Sequence, residues 1–141
     1  MMENSMIKIK EEYDSEKKSI LNVEPLINSL KDKLEIPLEK YYNILIAVSE
    51  AVNNAIIHGN KLNKDKKVQI VIEANNEQID IIIHDEGEGF EPDELNDPRA
   101  PENLLKDSGR GVFLIKELSD KSEFIHSDNG TDVFMTFYIN K

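Results

Sequence analysis

The chain has 141 residues, with 28 acidic and 17 basic side chains and a formal net charge of −11. That length fits one domain, residues 1–141, and 39% hydrophobic residues suffice to fill one core. The acidity argues against a nucleic-acid backbone or an anionic membrane as partner, and the lack of cysteine excludes disulfides, thiolate metal sites and a cysteine nucleophile.

The segment Ile7-Lys8-Ile9-Lys10 alternates and predicts a short strand. Asn22-Val23-Glu24-Pro25 predicts a helix start, with Asn as cap and Pro in the first turn. Leu26, Ile27, Leu30 and Leu34 follow at helical spacing. Pro37 opens the longest predicted helix, from about Leu38 to His58. Val68 to Ile72 and Ile79 to Ile83 are β-branched runs and predict strands, joined by a hairpin at Asn75-Asn76-Glu77-Gln78. From Asp85 to Ser108 the pattern is irregular, with Pro92, Pro98 and Pro101. A further helix is predicted from about Gly111 to Leu118. Two last strands, near Glu123 to His126 and Thr131 to Ile139, flank the turn Asp128-Asn129-Gly130. This order predicts an α+β, two-layer sandwich with helices on one face of a mixed or antiparallel sheet. Met1 to Tyr13 has no apolar core, and no run approaches the length of a membrane span. The sequence therefore predicts neither signal peptide nor transmembrane helix, and a cytoplasmic location fits.

The six glycines are Gly59, Gly87, Gly89, Gly109, Gly111 and Gly130. Two Gly-x-Gly steps, Gly87/Gly89 and Gly109/Gly111, flank the irregular segment. Glycine lets a ligand approach the backbone closely. No Gly-Lys-Ser/Thr and no Gly-x-Gly-x-x-Gly occurs, so neither a P-loop nor a Rossmann turn is present. On the longest helix, Tyr41, Leu45, Val48, Val52, Ala55 and Ile56 fall on one face, with Glu50, Asn53 and Asn54 roughly opposite. Glu50 and Asn54 are four apart and project together. A carboxylate beside a carboxamide supplies a base and a neutral oxygen ligand of the kind Mg²⁺ takes; a solvated strip on an amphipathic helix would show the same pattern. From Arg99 to Lys116 there are four basic and two acidic residues, whereas Asp85 to Asp97 holds seven acids and no base. Within that acidic stretch a calcium loop fails, because Phe90 stands where such a loop needs Gly. Glu86, Glu91, Asp93 and Glu94 are therefore expected to be solvated. His58, His84 and His126 show no metal spacing and are expected to be structural.

Together these pieces resemble the nucleotide-binding domain shared by gyrase B subunits, histidine kinases and mismatch-repair ATPases. Glu50-Ala51-Val52-Asn53-Asn54-Ala55 resembles that superfamily's N box, and Asp85-Glu86-Gly87-Glu88-Gly89-Phe90 its Asp-x-Gly-x-Gly box. Ser108-Gly109-Arg110-Gly111 resembles the second glycine box, which opens a helix, and Gly130-Thr131 the late Gly-Thr step. Asn54-Ala55-Ile56-Ile57-His58-Gly59, the small size and the stretch from Asp97 through Asn103-Leu104-Leu105 look most like the anti-sigma-factor serine/threonine kinases. The resemblance implies ATP and Mg²⁺ as cofactors. Asp85 would accept the adenine amino group, with Gly87 in the turn and Gly89 behind the ring. Asn54 would ligate Mg²⁺, and Glu50 would orient or deprotonate the attacking group. Gly109, Arg110 and Gly111 would meet the phosphates, and Thr131 would support the adenine contact through water or its hydroxyl. It also implies protein partners, a sigma factor and a small antagonist protein that is phosphorylated. A homodimer paired through the N-terminal halves is implied as well, with Met6 to Lys10 as a possible edge strand. The alternative function is a nucleotide-gated protein-binding switch without phosphotransfer.

Overall fold

The computed structural model describes residues 7–87 and 107–139. Five strands form one sheet: β1 (Ile7–Asp14), β2 (Lys67–Ala74), β3 (Gln78–Asp85), β4 (Lys121–Ser127) and β5 (Gly130–Tyr138). Their order across the sheet is β1-β2-β3-β5-β4, and every neighbouring pair is antiparallel. The helices are α1 (Val23–Leu34), α2 (Leu38–Asn54) and α3 (Asp107–Leu118).

Along β2 and β3 every second residue is buried, so one face of the sheet is core. Ile70, Ile72, Ile79, Ile81, Met135 and Phe137 from that face are fully buried with Ile27 and Leu30 of α1, Ile44 of α2 and Ile115 of α3. The helices thus cover one face. The other carries polar contacts, among them Thr136 Oγ1 to Asp80 Oδ1 at 2.8 Å and the Lys67–Asp14 ion pair. The predicted hairpin is present: Asn75 Oδ1 accepts from the N–H groups of Glu77 and Gln78 at 2.8 and 3.0 Å.

Several element ends differ from the sequence expectation. β1 runs on to Asp14, because its register pairs Glu11 with Ile70, Glu12 with Gln69 and Asp14 with Lys67. A 3₁₀ turn, Lys17–Asn22, leads directly into α1. Asn22 is already helical (φ −78, ψ −16), and its side chain donates to Ser19 O at 3.1 Å instead of capping α1. The long helix is α-wound only to Asn54; Ala55–Gly59 form a π turn closed by the N–H of Asn60 on Ala55 O at 2.8 Å. On α2 the buried face runs through Tyr41, Ile44, Ala47, Val48, Ala51, Val52 and Asn54, while Leu45 is only partly buried. The helix that was expected from Gly111 begins at Asp107. The acidic positions Glu91, Asp93 and Glu94, the stretch from Asp97 to Leu105, and Gly89 lie outside the described residues.

Candidate functional site

At one end of the core face, β3 closes on Asp85, a carboxylate only 3% exposed. The register places it opposite Thr131 of β5. Its Oδ1 accepts from the N–H of Gly87 at 3.0 Å and of Thr131 at 3.3 Å. Burial raises the Asp85 pKa above the ordinary carboxylate value, and the two N–H donors partly oppose that shift. Three glycines make room here. A Cβ on Gly59 would stand 2.5 Å from Asp85 Cγ. On Gly87 it would overlap the carbonyl of Gly59, and on Gly130, which has φ +130°, the carbonyl of Asp85. The Thr131 hydroxyl lies 3.3 Å from His126 Nδ1, so the residue reaches Asp85 through its main chain.

Asn60 supports this corner and was not foreseen. It is 1% exposed. Its Nδ2 donates to Ser15 Oγ at 2.9 Å and Lys67 O at 3.0 Å, and its Oδ1 accepts from Glu86 N–H at 2.8 Å. One side chain thereby ties the π turn to the ends of β1, β2 and β3. Glu86 is exposed, as expected, and its carboxylate accepts the Lys67 N–H. Nothing in the spacing of the sequence marks Asn60, since its partners come from distant strands.

The second half of the site lies on α2. Glu50 and Asn54 stand one turn apart, as their spacing requires. Asn54 is 2% exposed, yet neither atom of its carboxamide has a hydrogen-bond partner among the described residues. This differs from a solvated strip. The first turns of α3 cross over the pair. A Cβ on Gly111 would lie 2.9 Å from Asn54 Nδ2 and 3.0 Å from Glu50 Oε2. Only glycine lets the α3 backbone come so close. Gly109 is also buried and Arg110 is exposed, both within α3 rather than ahead of it. The π turn joins the two halves, because Gly59 abuts Asp85 and Asn54 immediately precedes the turn. Departures from α winding of this kind are frequent at functional sites.

A buried carboxylate with main-chain support, a buried carboxamide without partners among the described residues, and the first turns of a helix pressed against it are features expected of a ligand site. Its class follows from comparison with known proteins. The family model described as "Histidine kinase-like ATPase domain" matches residues 16–137, and the chain belongs to that family. Its fold is similar to a crystal structure of RsbU and RsbW domains from Mycobacterium tuberculosis, with a TM-score of 0.66 and 14% identity, covering 94% of this chain and 32% of that one. It is also similar to a blue-light activated histidine kinase of Erythrobacter litoralis, with a TM-score of 0.60 and 17% identity over 86% of this chain and 41% of that one.

Among curated relatives, the anti-sigma F factor of Oceanobacillus iheyensis is 35% identical over 120 residues, covering 82% of this chain and 81% of that protein. The serine-protein kinase RsbW of Staphylococcus epidermidis is 34% identical over 103 residues, 68% of this chain; the match spans 64% of that kinase, less than two thirds of its length. Within the ATPase-domain family the chain therefore groups with the anti-sigma-factor and RsbW kinase members.

Proposed function

We propose that this chain is a single ATP-binding domain and a serine/threonine protein kinase of the anti-sigma-factor type. It transfers phosphate from ATP to a small antagonist protein and holds a sigma factor or similar target. The observation that carries the reading is the unpartnered, buried Asn54 carboxamide beside Glu50 beneath the glycine face of α3. Asp85 accepts the adenine amino group, supported by Thr131 and by the turn through Gly87, with Gly89 behind the ring. Gly109, Arg110 and Gly111 meet the phosphates in the first turns of α3, where the helix dipole favours anions and the glycines let a ligand approach the backbone closely.

The donor set at Asn54 fits Mg²⁺, since one neutral oxygen ligand leaves room for waters and phosphate oxygens. When bound, Mg²⁺ would neutralise charge on the phosphates. In the transfer, the bond from the γ-phosphorus to the β,γ-bridging oxygen breaks and one to the acceptor hydroxyl oxygen forms. The proton of that hydroxyl passes to Glu50.

Calorimetry with ATP tests the binding step. The parent should bind ATP more tightly with Mg²⁺ than without it, and Asn54→Ala should lose that difference. Absence of heat from the parent at millimolar ATP with Mg²⁺ would sink the nucleotide reading.

We also place the protein in the cytoplasm as a homodimer, on the strength of the resemblance and of β1, which is an edge strand of the sheet. Light scattering should give twice the chain mass. A strict monomer at high concentration, with and without nucleotide, is the contrary result.

A further inference from the structure

Asn54 and Asn60 stand six residues apart and are both buried, yet their carboxamides are in opposite states. That of Asn54 has no partner among the described residues. That of Asn60 is engaged at both polar atoms: Nδ2 donates to Ser15 Oγ and to Lys67 O, and Oδ1 accepts the Glu86 N–H. Both donors of the amide are therefore in use, together with its acceptor. Ser15 is itself 1% exposed, and its hydroxyl donates to Lys66 O. A buried network in which every member is satisfied is rigid, and this one ends on the peptide that follows Asp85.

That end of the network bears on the carboxylate. The Glu86 N–H belongs to the peptide between Asp85 and Glu86, so holding it fixes the plane of that peptide and the direction in which the chain turns. The next N–H, of Gly87, donates to Asp85 Oδ1. The backbone of Asn60 borders the same turn, because a Cβ on Gly87 would overlap the Gly59 carbonyl and lie 3.1 Å from Asn60 N. Gly59 in turn is set against the Asp85 carboxylate, nearest to Oδ2. Asn60 thus governs two of the surfaces that confine this carboxylate, the Gly87 N–H on Oδ1 and the Gly59 backbone beside Oδ2. The third, the Thr131 N–H, comes from β5.

We infer that Asn60 is a positioning residue for the adenine end of the site: by holding the Glu86 N–H, its Oδ1 aims the Asp85 carboxylate at the base. This rests on the adenine-nucleotide reading of the site. Asn60 touches no part of the nucleotide and acts through Asp85.

Calorimetry with ATP and Mg²⁺ on the parent, Asn60→Leu, Asn60→Asp, Asp85→Asn and the double variant Asn60→Leu/Asp85→Asn tests the inference. Leucine has nearly the shape of asparagine and no polar side-chain atom, so Asn60→Leu releases the Glu86 N–H. It should bind ATP about tenfold more weakly, the effect of one misplaced hydrogen bond. In the Asp85→Asn background the same change should add little, because residues that act through one contact are not additive.

Asn60→Asp keeps an acceptor for the Glu86 N–H and loses both donors. It buries a carboxylate and should melt below the parent, yet it should retain most of the ATP affinity. Affinity and stability then separate, which a residue of the framework alone would not produce. Amide exchange in the parent needs no variant to fold. If the nucleotide binds only while the Asn60–Glu86 bond is closed, the Glu86 N–H should exchange about tenfold more slowly with free ATP at ten times its Kd.

Equal ATP affinity of the parent and folded Asn60→Leu, losses that add in full with Asp85→Asn, or a Glu86 exchange rate that ATP leaves unchanged overturns the inference. So does an equal loss of affinity in Asn60→Leu and Asn60→Asp that follows their melting temperatures. A parent that binds no ATP fails at an earlier point and removes the nucleotide reading itself, and this positioning role with it.

Discussion

Glu50→Gln is expected to lower phosphotransfer by about 10²–10⁴-fold, the usual contribution of a positioned proton acceptor, while ATP affinity changes little. The substitution keeps the side-chain volume and removes its basicity. Glu50 lies one turn before Asn54, and Gly111 of α3 passes over both. The carboxylate thus sits beside the proposed metal ligand and on the same helix stripe, at the opposite end of the site from Asp85. A radiolabelled-ATP transfer assay with a candidate antagonist protein, read against calorimetric ATP affinity, separates the two effects. Transfer at the parent rate would remove Glu50 as the base. A parent that binds ATP and a protein target but never transfers phosphate would make the protein a nucleotide-gated binding switch.

Asp85→Asn should act in opposite directions on binding and on stability. For binding, the variant amide retains an acceptor for the N–H groups of Gly87 and Thr131. In place of the oxygen turned towards Gly59 it carries an NH₂ group, which on the proposed reading would set a donor against the amino donor of adenine. A mismatched buried polar pair costs about 1–3 kcal/mol, so ATP affinity should fall about tenfold or more. In the parent, GTP should bind poorly, because its exocyclic oxygen would face the carboxylate. Equal affinity for ATP and GTP would count against the assignment.

For stability, the nucleotide-free variant should melt above the parent, since a charge held in a buried site opposes folding. The pH dependence has a definite sign. Burial raises the Asp85 pKa in the folded chain above its ordinary 3.8, so the native state binds this proton more tightly than the unfolded one. Its contribution to stability is fully present below 3.8 and is lost as pH rises through the folded value. The melting difference between Asp85→Asn and the parent should therefore grow as pH rises across that window. A difference that is flat with pH would show that burial does not raise this carboxyl.

The β-branched runs of β2 and β3, the hairpin at Asn75 and the apolar spacing of α1 are local patterns, and the structure has them where the sequence places them. The pairing of Glu50 with Asn54 is equally local, because four residues make one helical turn whatever surrounds it. The glycine positions were legible for a related reason. A missing Cβ records in the chain itself that another group must come close, although it does not say which group.

What comes close was decided by the tertiary structure. Gly59 faces a carboxylate 26 residues later, and Gly111 faces two side chains of another helix. Asn60 is joined to Ser15 across 45 residues and to Glu86 across 26. Asn22 does not cap α1, because a 3₁₀ turn already satisfies the chain before it, and α2 gives way to a π turn where Gly59 must fit against β3. Propensity and periodicity act over one or two turns, and they determined which segments are helix or strand and which polar residues share a face. Hydrogen bonds and close approaches between distant segments form only once the layers pack, and they determined that these faces meet as one site.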